Sequence, residues 1–213
     1  MAPVVSSIDS PRVRKRPEER REEILTHAAR IALDAGLERV TLRAVAERLG
    51  VRPGLITHYF PAAEDLVIAA FVRAAARERE LLLPATGEPL SRMAAFVARA
   101  AAPDAVGIAR LWLNARHLAR FSPALGAAIE DQEALDRERL LALIEEGTAA
   151  GIFVPERPMA ACVRILMAMD GFGAYANNVS EFDEAAYVHF VSDAAEWALG
   201  LQPETLRRES TAG

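Results

Sequence analysis

The sequence predicts an all-α protein, with an N-terminal three-helix domain followed by a C-terminal helical bundle. Three observations carry this. Apolar residues make up 52% of the chain and aromatics only 6%, so the core must come from Ala, Leu, Val and Ile, a mix that favours helices. No segment alternates with period two for long enough to read as a strand. Instead, apolar residues recur at helical spacing, as with Leu42, Val45, Ala46 and Leu49 at i, i+3, i+4 and i+7.

The elements follow in order. Residues 1–16, rich in Pro, Ser and Arg, are expected to form a disordered basic arm, either a solvated tail or one that adds phosphate or minor-groove contacts. Helix one runs from Pro17 to Ala35 on a stripe of Ile24, Ala28, Ile31, Ala32 and Ala35, and Gly36 ends it. Thr41 caps helix two, Gly50 supplies the positive φ of a tight corner, and Pro53 suits the first turn of helix three. Ile56 and Phe60 anchor helix three inward. Helix four starts near Ala62 and reaches Leu83, with Leu66, Ala70, Ala74 and Leu81 inward. After the breaker cluster 84–89, further helices begin at Pro89, at Pro103-Asp104, at Ser122-Pro123 and at Arg157-Pro158. Asn177-Asn178 suit the end of that last one, and Asp183 caps a final helix ending near Gly200. The domains expected are the arm at 1–16, the three-helix domain at 17–65, the bundle at 66–202 and a flexible tail at 203–213.

Two short helices joined through Gly50, the second polar on its outer side, describe a helix-turn-helix, and hence a DNA-binding domain. From about Arg20 to Leu66 the chain resembles the DNA-binding domain of the tetracycline-repressor (TetR) family of bacterial transcription regulators. The matching residues are Ile24, Ala28 and Gly36, the run Thr41-Leu-Arg-x-Val-Ala-x-x-Leu-Gly-Val51, the run Pro53-Gly-x-Ile-x-x-Tyr-Phe60, and Glu64-Asp-Leu66. The run Gly54-Leu-Ile-Thr-His-Tyr-Phe60 is similar to the branch around the choline-responsive betaine regulators, as, more loosely, is Arg110-Leu-Trp-Leu-Asn-Ala-Arg-His117. Thr57 stands where the family often has Tyr, and Ala63 where it often has a phosphate-binding Lys. The resemblance implies a regulator that binds double-stranded DNA as a homodimer and holds a small-molecule effector in its C-terminal domain.

Charge agrees once it is divided. The net charge is −5, yet residues 1–60 carry 11 Lys/Arg against 8 Asp/Glu, and the remainder 14 against 22. Positive charge is local to the proposed head, as phosphate neutralisation requires. The candidate DNA-binding residues are Thr41, Arg43, Arg52, Gly54, Leu55, Thr57, His58 and Tyr59. Arg52 suits a guanine edge, Leu55 a thymine methyl and Thr57 a base or phosphate, while Gly54 lets the backbone approach. Thr41 and Arg43 at the start of helix two suit phosphate. By resemblance His58 and Tyr59 contact phosphate. Their plain alternatives are a solvent-exposed imidazole and a half-buried ring between helices one and three.

In the bundle the candidate ligand residues are Arg110, Trp112, Asn114, His117, Asp170, Phe172 and Tyr175. Asp170 has no cation at i±3 or i±4, so an arginine from another helix or a ligand is expected to satisfy it. Arg110, Asn114 and His117 form a polar stripe beside Trp112, and an aromatic pocket with one carboxylate suits a cation. The plainer reading makes Trp112 core, pairs Asp170 internally and turns Arg110 and His117 to solvent or a partner subunit. The last two long helices are apolar on two faces: Cys162, Leu166, Met169, Gly173 and Ala176 with Ile165, Phe172 and Tyr175, then Phe190, Ala194, Trp197 and Leu201. That favours a homodimer closed by four helices over a pair tucked inside a monomer.

No catalytic chemistry, metal or cofactor is expected. His27, His58, His117 and His189 are scattered without metal spacing, and Gly171-Phe-Gly173 is a bare fragment of a phosphate loop. Cys162, the single cysteine, sits in an apolar stripe and suits a reducing cytoplasm. No uninterrupted apolar run approaches a membrane span, and the N-terminus does not read as a secretory signal. The competing reading is a dimeric helical sensor that does not bind DNA itself or acts through a protein partner.

Overall fold

The computed structural model describes residues 16–100, 102, 105–177 and 185–212, and among them every regular element is helical. The head comprises α1 (Pro17–Ala35), a 3-10 turn (Leu37–Arg39), α2 (Leu42–Leu49) and α3 (Pro53–Tyr59). The connector α4 (Ala63–Leu82) leads to α5 (Pro89–Ala100), α6 (Val106–Leu118), α7 (Pro123–Ala149) and α8 (Pro158–Ala176). Three shorter helices close the chain: α9 (Ala185–Val188), α10 (Phe190–Leu199) and α11 (Thr205–Ala212).

Local chemistry sets most boundaries. The Thr41 hydroxyl accepts from Ala44 N–H at 3.0 Å, and the Ser122 hydroxyl accepts from Leu125 N–H at 3.1 Å, starting α2 and α7. Prolines occupy the first turns of α1, α3, α7 and α8. Gly50 ends α2 at φ 64° and ψ 35°, the left-handed region that disfavours any residue with a Cβ. Its N–H returns to Ala46 and Glu47, and Val51 N–H donates to Ala46 at 3.0 Å, which fixes the corner.

Two apolar clusters result. The first joins α1–α4 through Ile24, Ala28, Val45, Ile56, Phe60 and Phe71, and extends into α6 and α7 through Leu111, Ala115, Leu125 and Ile129. The second holds α5, α7, α8, α10 and α11 together around Phe96, Leu143, Phe153, Ile165 and Leu206. The head is therefore seated on α6 and α7 rather than hung from α4 alone.

Several expectations need correction. Ala35 and Leu81 are exposed, because each stripe drifts off its packed face near the end of the helix. The final helix is broken at His189. The tail from residue 203, expected to be flexible, forms α11 against α5. Its first turn is held by the buried Glu196 carboxylate, which accepts from Glu204 N–H at 2.8 Å and Leu206 N–H at 2.9 Å. Residues 1–15 of the basic arm, Pro103-Asp104, Asn178 and the Asp183 cap lie outside the described residues.

The outward face of α8 also differs. Cys162, Ile165 and Phe172 point into the core, and Leu166, Met169 and Gly173 line a cavity. Met159, Val163 and Met167, four residues apart, are exposed, the last two at the edge of the same cavity, and Phe190 and Trp197 are exposed on α10. Among the described helices α8 alone is long and apolar enough to qualify as a membrane span, and it carries Arg164 and Asp170. Arg164 lies over the Trp197 ring at 4.6 Å.

Candidate nucleic-acid interface and internal cavity

The α2–turn–α3 unit buries Val45, Ala46, Ile56 and Phe60 and turns its polar residues out. Arg52, Gly54, Thr57 and His58 are exposed, and Leu55 and Tyr59 are half-buried. A Cβ built on Gly54 would meet nothing within 4 Å, so this surface is open to a close approach. The Arg52 guanidinium makes no ion pair or hydrogen bond among the described residues, leaving its fork available. Thr57 Oγ1 donates back to the Pro53 carbonyl at 3.3 Å. His58 meets Tyr59 edge-on at 5.2 Å, and the half-buried Tyr59 packs on the head core. Arg43 is fully exposed beside α2, and its guanidinium donates to Glu47 at 2.7 Å. That hydrogen bond and the carboxylate's charge raise its pKa further.

Of the eight candidate residues, Thr41 and Arg43 start α2, and the other six lie on or just before α3.

The seven candidate ligand residues do not come together. A cavity of about 290 Å³ lies between the two apolar clusters, walled by α4, α5, α6, α7 and α8. Of the seven, only Trp112 and Asp170 line it. Arg110 turns the other way, donating from Nη2 to the carbonyls of Leu33 at 2.7 Å and Asp34 at 3.1 Å. Asn114 Oδ1 is buried with no partner and outside the lining. His117 is exposed and meets Phe121 edge-on. Phe172 is buried, stacked on Tyr187 at 5.0 Å, and Tyr175 is exposed. On α6, Arg110 reaches α1 and His117 faces solvent, while Trp112 and Arg116 face the cavity.

Asp170 is exposed rather than buried, and its partner is an arginine of another helix: Arg116 Nη2 donates to it at 2.8 Å. The same nitrogen donates to Glu133 at 3.0 Å, and the guanidinium lies 5.4 Å from the Trp112 ring centroid. Burial lowers the Arg116 pKa, and the two carboxylates more than restore it, so the net shift is upward. Deeper in, Arg79 pairs with Asp136 and donates to Gln132 Oε1 at 2.8 Å. Burial raises the Asp136 pKa despite Arg79, and the charges of Glu133 and Asp170 add to the rise. Arg116, Glu133 and Asp136 escaped the sequence reading, although Trp112 and Arg116 are four apart and share a helix face. Gly173 brings α8 against α6 beside the cavity, where an added Cβ would come within 2.9 Å of Ala109 Cβ. No group of three metal-ligating side chains occurs among the described residues. The Cys162 thiol is buried, which pushes its pKa up to about 11.

A helix-turn-helix head seated on a cavity-bearing helical bundle defines the class. Residues 24–70 match the family described as bacterial regulatory proteins of the tetR family. No curated protein matches the chain in sequence. Among solved structures it is similar to a transcriptional regulator of Saccharomonospora viridis in complex with choline, with a TM-score of 0.66 and 20% identity over 84% of this chain and 96% of that one. A TetR transcription regulator of Haloarcula marismortui gives a TM-score of 0.68 at 17% identity, covering 86% of this chain and 97% of that one. The fatty acid degradation regulator FadR of Bacillus halodurans gives 0.63 at 19% identity, covering 88% and 97%. These three likenesses are of fold.

Proposed function

We propose that this protein is a one-component transcriptional repressor of the cytoplasm, binding a palindromic operator as a homodimer and released by a small-molecule effector. In this reading residues 17–65 bind DNA, and residues 66–202 hold the effector and the dimer contact. The observation that carries it is the outer face of α3, where Arg52, Thr57 and His58 are exposed around the open backbone at Gly54. Arg52 reads a base edge, Thr57 and His58 reach bases or phosphate, and Thr41, Arg43 and Tyr59 fix the register on the backbone. Leu55 meets a thymine methyl. Two such heads must sit about one DNA turn apart, roughly 34 Å, to enter successive major grooves.

The effector enters the cavity beside Trp112. That ring meets Phe71 of α4 edge-on at 5.0 Å, so its displacement reaches the head core directly. Moving α4 and α6 changes the separation of the heads, and a coupling of about 1–3 kcal/mol suffices to switch occupancy. The S. viridis protein's choline complex, and the resemblance to the betaine-regulator branch, make small amphipathic molecules the first to try.

The test is to incubate the protein with fragmented DNA from its own source and sequence what it retains at moderate salt. A palindromic site is expected, with affinity that falls steeply as salt rises. An Arg52→Ala, His58→Ala variant should lose at least a hundredfold in affinity while remaining dimeric. No enriched site at any salt from a folded dimer would favour a sensor that acts through a protein partner; retained affinity in the variant would overturn the assignment of α3.

A further inference from the structure

The cavity already contains a cation of the protein's own. Arg116 lies against the Trp112 ring and donates to Glu133 and Asp170, three features that recognise an organic cation. Its hold is of a different kind from that of its neighbour Arg79. Arg79 is buried, pairs with Asp136 and is further fixed by two hydrogen bonds to Gln132. Arg116 and both its carboxylates are only partly buried, at 37%, 40% and 53% exposed, and ion pairs this open to water exchange readily. Of these two arginines, Arg79 is held fast and Arg116 is replaceable.

We propose that Arg116 is an internal stand-in for the ligand: the cavity takes a small organic cation with an apolar body, whose charged head displaces the Arg116 guanidinium from Trp112, Glu133 and Asp170. The inference rests on reading this cavity as the effector site and names the class of molecule it takes. Leu82, Phe96, Leu166 and Met169 line the cavity and supply contacts for the apolar body. An anionic head would bring a further negative charge beside Glu133, Asp136 and Asp170, which already oppose one another's ionisation at Asp136. Arg99 and Arg137 also line the cavity and could meet an anion, so the two chemistries must be separated by experiment. Displacement also has a mechanical consequence. Arg116 and Trp112 are on α6, so expelling the one and covering the other acts on the helix that carries the head.

Titration calorimetry of the full chain with octyltrimethylammonium, choline and octanoate tests this without DNA, so a negative result would leave the operator reading standing. The cations are expected to bind and octanoate not. Arg116→Gln should tighten octyltrimethylammonium about tenfold, the gain expected if the guanidinium vacates the cage about one-tenth of the time. The pair Glu133→Gln and Asp170→Asn should weaken it at least tenfold. Unchanged or weaker cation binding in a folded Arg116→Gln variant would overturn the proposal. So would octanoate binding that this variant abolishes, which would make Arg116 an anion anchor. Failure of every probe to bind the folded wild type would also overturn it. Should the variants fail to fold, the wild type still decides. Its Arg116 Nε–H resonance should move to a solvent-exposed position on adding octyltrimethylammonium, and a resonance that stays put while the cation binds would overturn the displacement.

Discussion

Thr41 caps α2, and the proposed operator contact would use a different part of the same hydroxyl. Its oxygen accepts from Ala44 N–H, and its own proton remains free to donate to a phosphate. The two roles separate by substitution. Thr41→Ala should lose about 1 kcal/mol of stability with the cap and also weaken operator binding. Thr41→Asp should keep the cap and the melting temperature, because Asp caps as well as Thr, yet bind the operator at least tenfold more weakly through repulsion of phosphate. Equal operator affinity in Thr41→Asp and wild type, measured by fluorescence anisotropy, would show that the hydroxyl only caps. This residue was legible in the sequence because a cap is a local relation among four consecutive positions. Gly50 and Pro53 were legible for the same reason. Asp170 was legible only in part: its need for a distant partner followed from its own helix, but the identity of Arg116, 54 positions away, is a product of packing.

Among the helices, α6 has a face for each half of the molecule. Ile108, Ala109, Trp112 and Arg116 line the cavity. Opposite them, Arg110 donates to the last carbonyls of α1, whose own final turn has no basic residue. A guanidinium there both satisfies orphan carbonyls and complements the helix dipole. Gly107 lets α6 lie close, since a Cβ at that position would stand 3.2 Å from the Leu33 carbonyl oxygen. Arg110→Met keeps the apolar stem and removes the donors. It should reduce the effector-induced loss of operator affinity several-fold while changing effector binding alone and operator binding alone by less than threefold. Undiminished coupling would mean that α4 transmits by itself. The sequence displayed the stripe of Arg110, Asn114 and His117 but not what it faced, because helical periodicity gives relative directions and not the neighbour in each. For the same reason α11 was missed: its low apolar content offers no strong pattern, and the group that starts it, Glu196, belongs to α10.

At the scale of the whole molecule, the outer face of α8 and α10 leaves several large apolar side chains exposed. Met167 and Trp197 are 69% and 67% exposed, in line with Met159, Val163 and Phe190. Five exposed apolar side chains on two packed helices suit a self-complementary contact about a twofold axis. The proposed palindromic operator would need such a contact, because a single head would span one half-site and contribute only its own share of the phosphate and base contacts. The double substitution Met167→Glu and Trp197→Glu places carboxylates on that face, where each would be buried against its symmetry mate. Light scattering should report twice the chain mass for the wild type and the single-chain mass for the variant, with unchanged helical circular dichroism. Operator affinity should fall by at least a hundredfold, and a half-site duplex should then bind the variant and the wild type comparably. A variant that stays dimeric would put the contact elsewhere, and a monomeric wild type that still binds the full palindrome tightly would remove the need for a dimer off DNA.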